Sequence, residues 1–187
     1  MRVWTGRAAR AGLTSVLGGA IVLGAAGCSP ELRPLAAVYV DERGTAQALL
    51  RSCDDDGWVR GPGLRGTAPE ASGAAEPGTE PEGPGKSAEP EGEGPWIGWD
   101  AGGWHRAADF PLFAPPPEWE VETRGPATLQ PGYSYELSFA DPDDSYAYSA
   151  SVTFDARQLA EVPAGEVLTP QGAMTREAFE ELAREAC

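Results

Sequence analysis

Polar and apolar residues alternate with a period of two through most of the segment from Tyr133 to Phe154, and this limits the fold more than any other feature of the chain. Tyr133, Tyr135, Leu137 and Phe139 are separated by Ser134, Glu136 and Ser138. After Asp141-Pro142-Asp143-Asp144-Ser145 the pattern resumes, with Tyr146, Tyr148, Ala150, Val152 and Phe154 set against Ala147, Ser149, Ser151 and Thr153. Successive side chains of a strand point to opposite faces, so this stretch predicts two adjacent antiparallel strands, each with one buried and one solvated face. Pro131-Gly132 punctuates the start of the first strand. Trp119-Glu120-Val121-Glu122-Thr123 alternates as well, just after the strand-breaking Pro115-Pro116-Pro117.

Two further segments fit such a domain. Leu35 to Val40 is a short apolar run, Asp41-Glu42-Arg43-Gly44 reads as a turn, and Thr45 to Ser52 returns, so a hairpin is predicted. Cys53-Asp54-Asp55-Asp56-Gly57 is a second turn, followed by a brief Trp58-Val59. At the other end Thr175 reads as a helix N-cap, with Glu177 favourably placed in the first turn. Met174 and Phe179 have the spacing of a hydrophobic staple. Phe179, Leu182, Ala183 and Ala186 then share one helical face. The expected fold is mainly β: a small antiparallel β-sandwich-like domain with a short C-terminal α-helix.

Residues 66–95 have a different character. They hold seven Glu, six Pro and seven Gly, a single Lys, and no aromatic residue, Leu, Ile or Val. Such a segment buries too little apolar surface to offset its ordering entropy, so it is expected to be a long disordered acidic insert. About 30 residues of the domain precede it and about 90 follow, so it is read as a loop within one domain rather than a linker between two. Loop-closure entropy rises only logarithmically with length, which makes the insertion inexpensive. A wall-crossing stalk is the rival reading, but a stalk would adjoin the anchor described next.

Arg2, Arg7 and Arg10 form a basic N-terminal region without an opposing acid, and Ala11 to Ala26 is apolar or small. The apolar run is too short and too rich in glycine for a spanning helix, which needs about 20 strongly apolar residues. Residues 1–27 are therefore read as a cleaved signal peptide. Ala25-Ala26-Gly27-Cys28 resembles a bacterial lipobox with Ala25 in the place usually held by Leu, and Cys28 is the expected lipidation site. The alternative is an ordinary secretory signal with Cys28 incidental to it. Ala8 and Ala9 separate Arg7 from Arg10, so there is no twin-arginine pair and general secretion is expected. The mature chain, residues 28–187, would be held by lipid at the outer face of the cytoplasmic membrane, each buried methylene adding about 0.8 kcal/mol.

Loss of three arginines on cleavage takes the formal charge from −15 to −18. That disfavours nucleic acid and anionic membrane surfaces as partners, because phosphate-rich ligands call for basic patches. With Cys28 lipidated, Cys53 and Cys187 remain, and an even pair in an exported domain reads as one disulfide, two free thiols being the alternative. No metal site or cofactor is expected, since these cysteines and the single histidine, His105, lack ligand spacing. Asp54-Asp55-Asp56-Gly57 and Asp141-Pro142-Asp143-Asp144 lack the spacing of a calcium loop, so they read first as turns and only secondarily as weak cation sites. No Gly-x-Ser-x-Gly accompanies His105, which argues against a serine hydrolase.

The most suggestive cluster is Trp96-Ile97-Gly98-Trp99-Asp100-Ala101-Gly102-Gly103-Trp104-His105. Trp96, Trp99 and Trp104 could form an aromatic platform for sugar rings or a protein partner, or could fill the core of a domain poor in Leu and Ile. The function expected from this combination is a non-catalytic surface binding or interaction module. The alternative is a cell-wall-active hydrolase or a glycan-binding protein. Cys28, the hairpin ending in Leu50-Arg51-Ser52-Cys53, the paired strands, and the close from Met174-Thr175-Arg176-Glu177-Ala178-Phe179 to Cys187 resemble small actinobacterial (Streptomyces-like) lipoproteins of unknown function. The resemblance covers the mature chain apart from the insert and implies an anchored surface protein without an assigned activity.

Overall fold

The computed structural model describes residues 30–69, 96–142 and 147–187. The expected signal peptide, Cys28, most of the expected acidic insert and Asp143 to Tyr146 lie outside them. In chain order the elements are β1 (Glu31–Leu32), β2 (Ala36–Val40), β3 (Ala46–Leu50), β4 (Trp58–Thr67), β5 (Trp96–Ala101), β6 (Trp104–Arg106) and β7 (Asp109–Pro111). They continue with β8 (Val121–Arg124), β9 (Ser134–Ala140), β10 (Tyr148–Asp155), α1 (Ala156–Ala160), β11 (Glu166–Thr169), β12 (Gly172–Thr175) and α2 (Arg176–Glu185). One sheet runs β1-β10-β9-β4-β5-β8, with β6 also paired to β4; the other runs β12-β11-β2-β3-β7. Among the described residues, β1 alone pairs in parallel, with β10.

The alternating segments form the neighbouring strands β9 and β10, with Leu137 opposite Val152 and Tyr135 opposite Phe154. Tyr135, Leu137, Phe139, Tyr148, Ala150, Val152 and Phe154 are all buried, and Tyr133 is partly buried against the same core. Ala36, Val38, Ala48 and Leu50 of the second sheet belong to that core, so the two sheets pack face to face. The other face of β2 and β3 is buried too: Ala37 and Leu49 pack with Val167 and Phe179. The smaller sheet is therefore a middle layer between the larger sheet and α2. This explains why Leu35-Ala36-Ala37-Val38 is continuously apolar, as strands covered on both faces are.

The C-terminal helix forms where its signals predict it. Thr175 Oγ1 accepts from the Ala178 N–H at 3.2 Å, and Met174 packs against the cluster containing Phe179. The predicted 35–60 hairpin is β2 and β3, paired from Ala36–Leu50 to Val40–Ala46. Cys53 and Cys187 are paired at disulfide distance, with a Cα–Cα separation of 5.1 Å across 134 residues of sequence. The bridge ties the β3–β4 turn to the end of α2.

Several expectations need correction. The brief strand at Trp58-Val59 is ten residues long and extends to Thr67, so the insert expected from residue 66 starts later; the disorder expected of 70–95 lies outside the described residues. Gly66 is a packed position of β4, since a Cβ there would come within 2.5 Å of the Tyr135 ring. Trp119 is a buried residue ahead of its strand, and β8 itself is exposed along its length. Helix α1 and the β11–β12 hairpin were not anticipated. The signal for α1 was present: Asp155 and Gln158 form a capping box, Asp155 Oδ1 accepting from Gln158 N–H at 2.7 Å and Gln158 Oε1 from Asp155 N–H at 2.9 Å.

Candidate functional site

The three tryptophans of the 96–104 cluster do not form one platform. Trp96 and Trp99 are three residues apart on β5, an odd spacing that sends them to opposite faces. Trp99 is 1% exposed. It packs edge-on against Phe110 and Trp119 and donates its indole N–H to the Leu112 carbonyl at 2.7 Å. It is a core residue, so of the two readings open to this tryptophan the core one holds and the ligand contact does not. Trp96 lies on the outer face of the sheet, covered by guanidinium groups: Arg65 sits 5.4 Å and Arg124 4.5 Å from its ring. Arg65 pairs with Asp100 at 3.2 Å and Arg124 with Glu122 at 2.7 Å, so the charges at this end of the sheet are internally matched.

Trp104 has a different environment. The Gly102-Gly103 turn, with Gly103 at φ 81°, carries the chain into β6, where Trp104 is 56% exposed. Its indole N–H donates to the Pro142 carbonyl at 2.8 Å, which fixes the ring's position while leaving it open to solvent. β6 pairs with the start of β4 in a reciprocal register: Trp58 opposite Arg106, and Arg60 opposite Trp104. Each guanidinium lies over the indole across from it, Arg106 at 4.5 Å from the Trp58 ring and Arg60 at 5.7 Å from the Trp104 ring. Val59 between them is fully buried, so the other four side chains share the outer face. A shallow cleft of about 340 Å³ lies against this patch, lined by Asp54, Trp58, Trp104 and Pro142.

Sequence reasoning found Trp104 but missed Trp58, Arg60 and Arg106. A signal existed, because Trp58-Val59-Arg60 and Trp104-His105-Arg106 repeat one Trp-x-Arg pattern. Asp54 acts first as a turn residue: its Oδ2 accepts from the Trp58 N–H at 3.0 Å and its carbonyl from the Gly57 N–H at 2.8 Å. Asp141 likewise receives the Ala147 N–H at 3.1 Å. His105 Nε2 lies 2.8 Å from the Gly102 carbonyl, and its ring is tilted against Trp119 at 4.8 Å; both contacts brace the β5–β6 turn. Among the described residues, no group of three or more His, Cys, Asp or Glu is gathered in a way that could hold a metal ion.

A second polar cluster lies where α2 meets β3 and β7. Arg51 pairs with Asp109 at 2.6 Å and with Glu180 at 2.5 Å, and Arg176 also bonds Asp109. Burial works against the Arg51 charge, but the bonds to Glu180 and Asp109 outweigh it and raise its pKa. The Arg51 hydrogen bond, opposed by burial, holds the Glu180 carboxyl below its ordinary range. General acid–base catalysis by a carboxyl pair needs the two pKa values driven apart, whereas here both carboxylates bind guanidinium groups. The cluster is a clamp for α2. A carboxyl with a depressed folded-state pKa adds stability that is complete above its unfolded value, about 4.3, and is lost as pH falls through the folded value. Glu180→Gln is therefore expected to lower unfolding free energy by up to about 1 kcal/mol at neutral pH, as suits a partly exposed pair. The difference should fade below about pH 4. Urea unfolding across pH measures this, and a constant difference across pH would refute the clamp.

No protein-family model, curated protein or solved structure matches this chain. The patch must be interpreted from its own chemistry.

Proposed function

We propose that the protein is a lipid-anchored, non-catalytic binding module on the outer face of the bacterial cytoplasmic membrane, and that the Trp58–Trp104 patch is its ligand contact. The observation that carries this reading is Trp104: a large aromatic ring, 56% exposed, held in place by a hydrogen bond to Pro142. Exposing an indole forgoes the free energy of burying it, and aromatic side chains near arginine are the residue types that dominate recognition surfaces. The anchor rests on Cys28 and the basic and apolar segment before it.

The test uses purified peptidoglycan sacculi. The full chain is expected to co-sediment with them. Trp104→Ala should lose most of that retention while changing unfolding free energy by less than about 0.5 kcal/mol, as an exposed position does. Failure of the parent protein to sediment would remove the wall as the ligand source. Undiminished retention of Trp104→Ala would remove the patch. For the anchor, Cys28→Ala should release the protein from the membrane fraction.

A further inference from the structure

We infer that the patch recognises a sugar ring bearing a carboxylate, with Trp58 and Trp104 contacting the ring and Arg106 pairing with the acid. This rests on the patch being the ligand contact and names the chemistry that would occupy it. The decisive feature is charge. The chain carries a formal −15, and Arg33, Arg51, Arg65, Arg124, Arg176 and Arg184 all pair with carboxylates of the fold. Arg43, Arg106 and Arg157 are exposed and, among the described residues, pair with no carboxylate; of these three it is Arg106 that stacks on Trp58, a residue lining the cleft. An exposed guanidinium left without an acid in so acidic a protein is complementary to an anion from outside, and its planar fork suits a carboxylate.

The remaining groups specify the rest of the ligand. The cleft of about 340 Å³ is at the small end of ligand sites, a size for one ring rather than a folded partner. Indole faces offer a flat apolar surface to the C–H bonds of a pyranose. Asp54 lines the same cleft, and it spends Oδ2 on the Trp58 N–H, which leaves Oδ1 to accept from a hydroxyl. A ligand that satisfies all three carries hydroxyls for Asp54, an apolar ring face for the indoles and a carboxylate for Arg106. An acidic sugar has all of these, whereas an acidic peptide side chain lacks the ring and the hydroxyls.

The experiment titrates the purified full chain with tetragalacturonate while following tryptophan fluorescence. Its fully methyl-esterified form serves as the neutral control with the same sugar rings, and tetraglutamate as the anion without sugar. Saturable binding of the acid form is expected, roughly ten- to hundredfold tighter than the ester, as a charge-assisted hydrogen bond contributes. Arg106→Gln should bring the acid form down to the affinity of the ester and leave the ester unchanged. Equal affinity for acid and ester, or an Arg106→Gln protein that still prefers the acid, would overturn the inference. So would tetraglutamate binding as tightly as tetragalacturonate. If sacculus retention still depends on Trp104 in those cases, the binding-module reading stands and only the ligand chemistry falls. Loss of retention in the parent protein would fail that reading first.

Discussion

Trp99→Ala is expected to lower unfolding free energy by about 3–5 kcal/mol, the range for deleting a large buried aromatic side chain. Two contributions add. The first is a cavity at the junction of Phe110 and Trp119, whose rings lie 5.7 and 6.1 Å from that of Trp99. The second is the Leu112 carbonyl, which loses the indole N–H it accepts at 2.7 Å inside the core and is left unsatisfied. The neighbouring backbone has little freedom to collapse into the space. Gly98 is at φ 129°, and a Cβ there would fall 2.0 Å from the Leu64 carbonyl oxygen, so β5 is already held tightly against β4. Urea unfolding should show a lower midpoint at unchanged slope. A loss below about 1 kcal/mol would contradict Trp99 as a core anchor. Paired with the near-neutral Trp104→Ala, this variant separates the tryptophan that holds the fold from the one proposed to bind.

The second large effect concerns the disulfide. Replacing both Cys53 and Cys187 with Ser is expected to destabilise by about 2–5 kcal/mol, with the loop of 134 residues favouring the upper part of that range. For a chain of this size the loss corresponds to a fall in melting temperature of roughly 5–15 °C. Reductant should produce a similar fall in the parent protein and none in the double variant. Unchanged melting on reduction would show that the bridge contributes nothing. The helix should stay docked in the reduced protein under mild conditions, because Phe179 is buried among Ala37, Leu49 and Val167 and Arg51 still grips Glu180. Intact mass with and without reductant, differing by two hydrogens, verifies the pairing.

How far the fold was legible depended on whether the determining interactions were local. Strands β9 and β10 show themselves through period two, since each side chain's face is set by its neighbours along the strand. The α2 N-cap is equally local, one hydroxyl reaching an amide three residues on. The Cys53–Cys187 pairing followed from parity. Strand β4 was hidden because Trp58-Val59-Arg60-Gly61-Pro62-Gly63-Leu64-Arg65-Gly66-Thr67 carries three glycines and a proline, which read as loop. It is nevertheless the strand that β5, β6 and β9 all pair with. A register shift between Arg60 and Gly63 absorbs Gly61 and Pro62, and Gly66 makes room for the Tyr135 ring.

The tryptophans divide the same way. Sequence by itself determined that three tryptophans, Trp96, Trp99 and Trp104, cluster within nine residues, that the chain is acidic, and that a basic and then apolar segment precedes Cys28. It also determined the alternation that makes the domain β-rich. Only the tertiary structure decided that Trp99 enters the core, that Trp96 is roofed by Arg65 and Arg124, and that Trp104 stays open beside Trp58. Trp58 and Trp104 lie 46 positions apart in the chain, and nothing local specifies that their strands pair. Burying Val59, Leu64 and Trp99 in one core selects that pairing, and the exposed patch forms on the opposite face as its consequence.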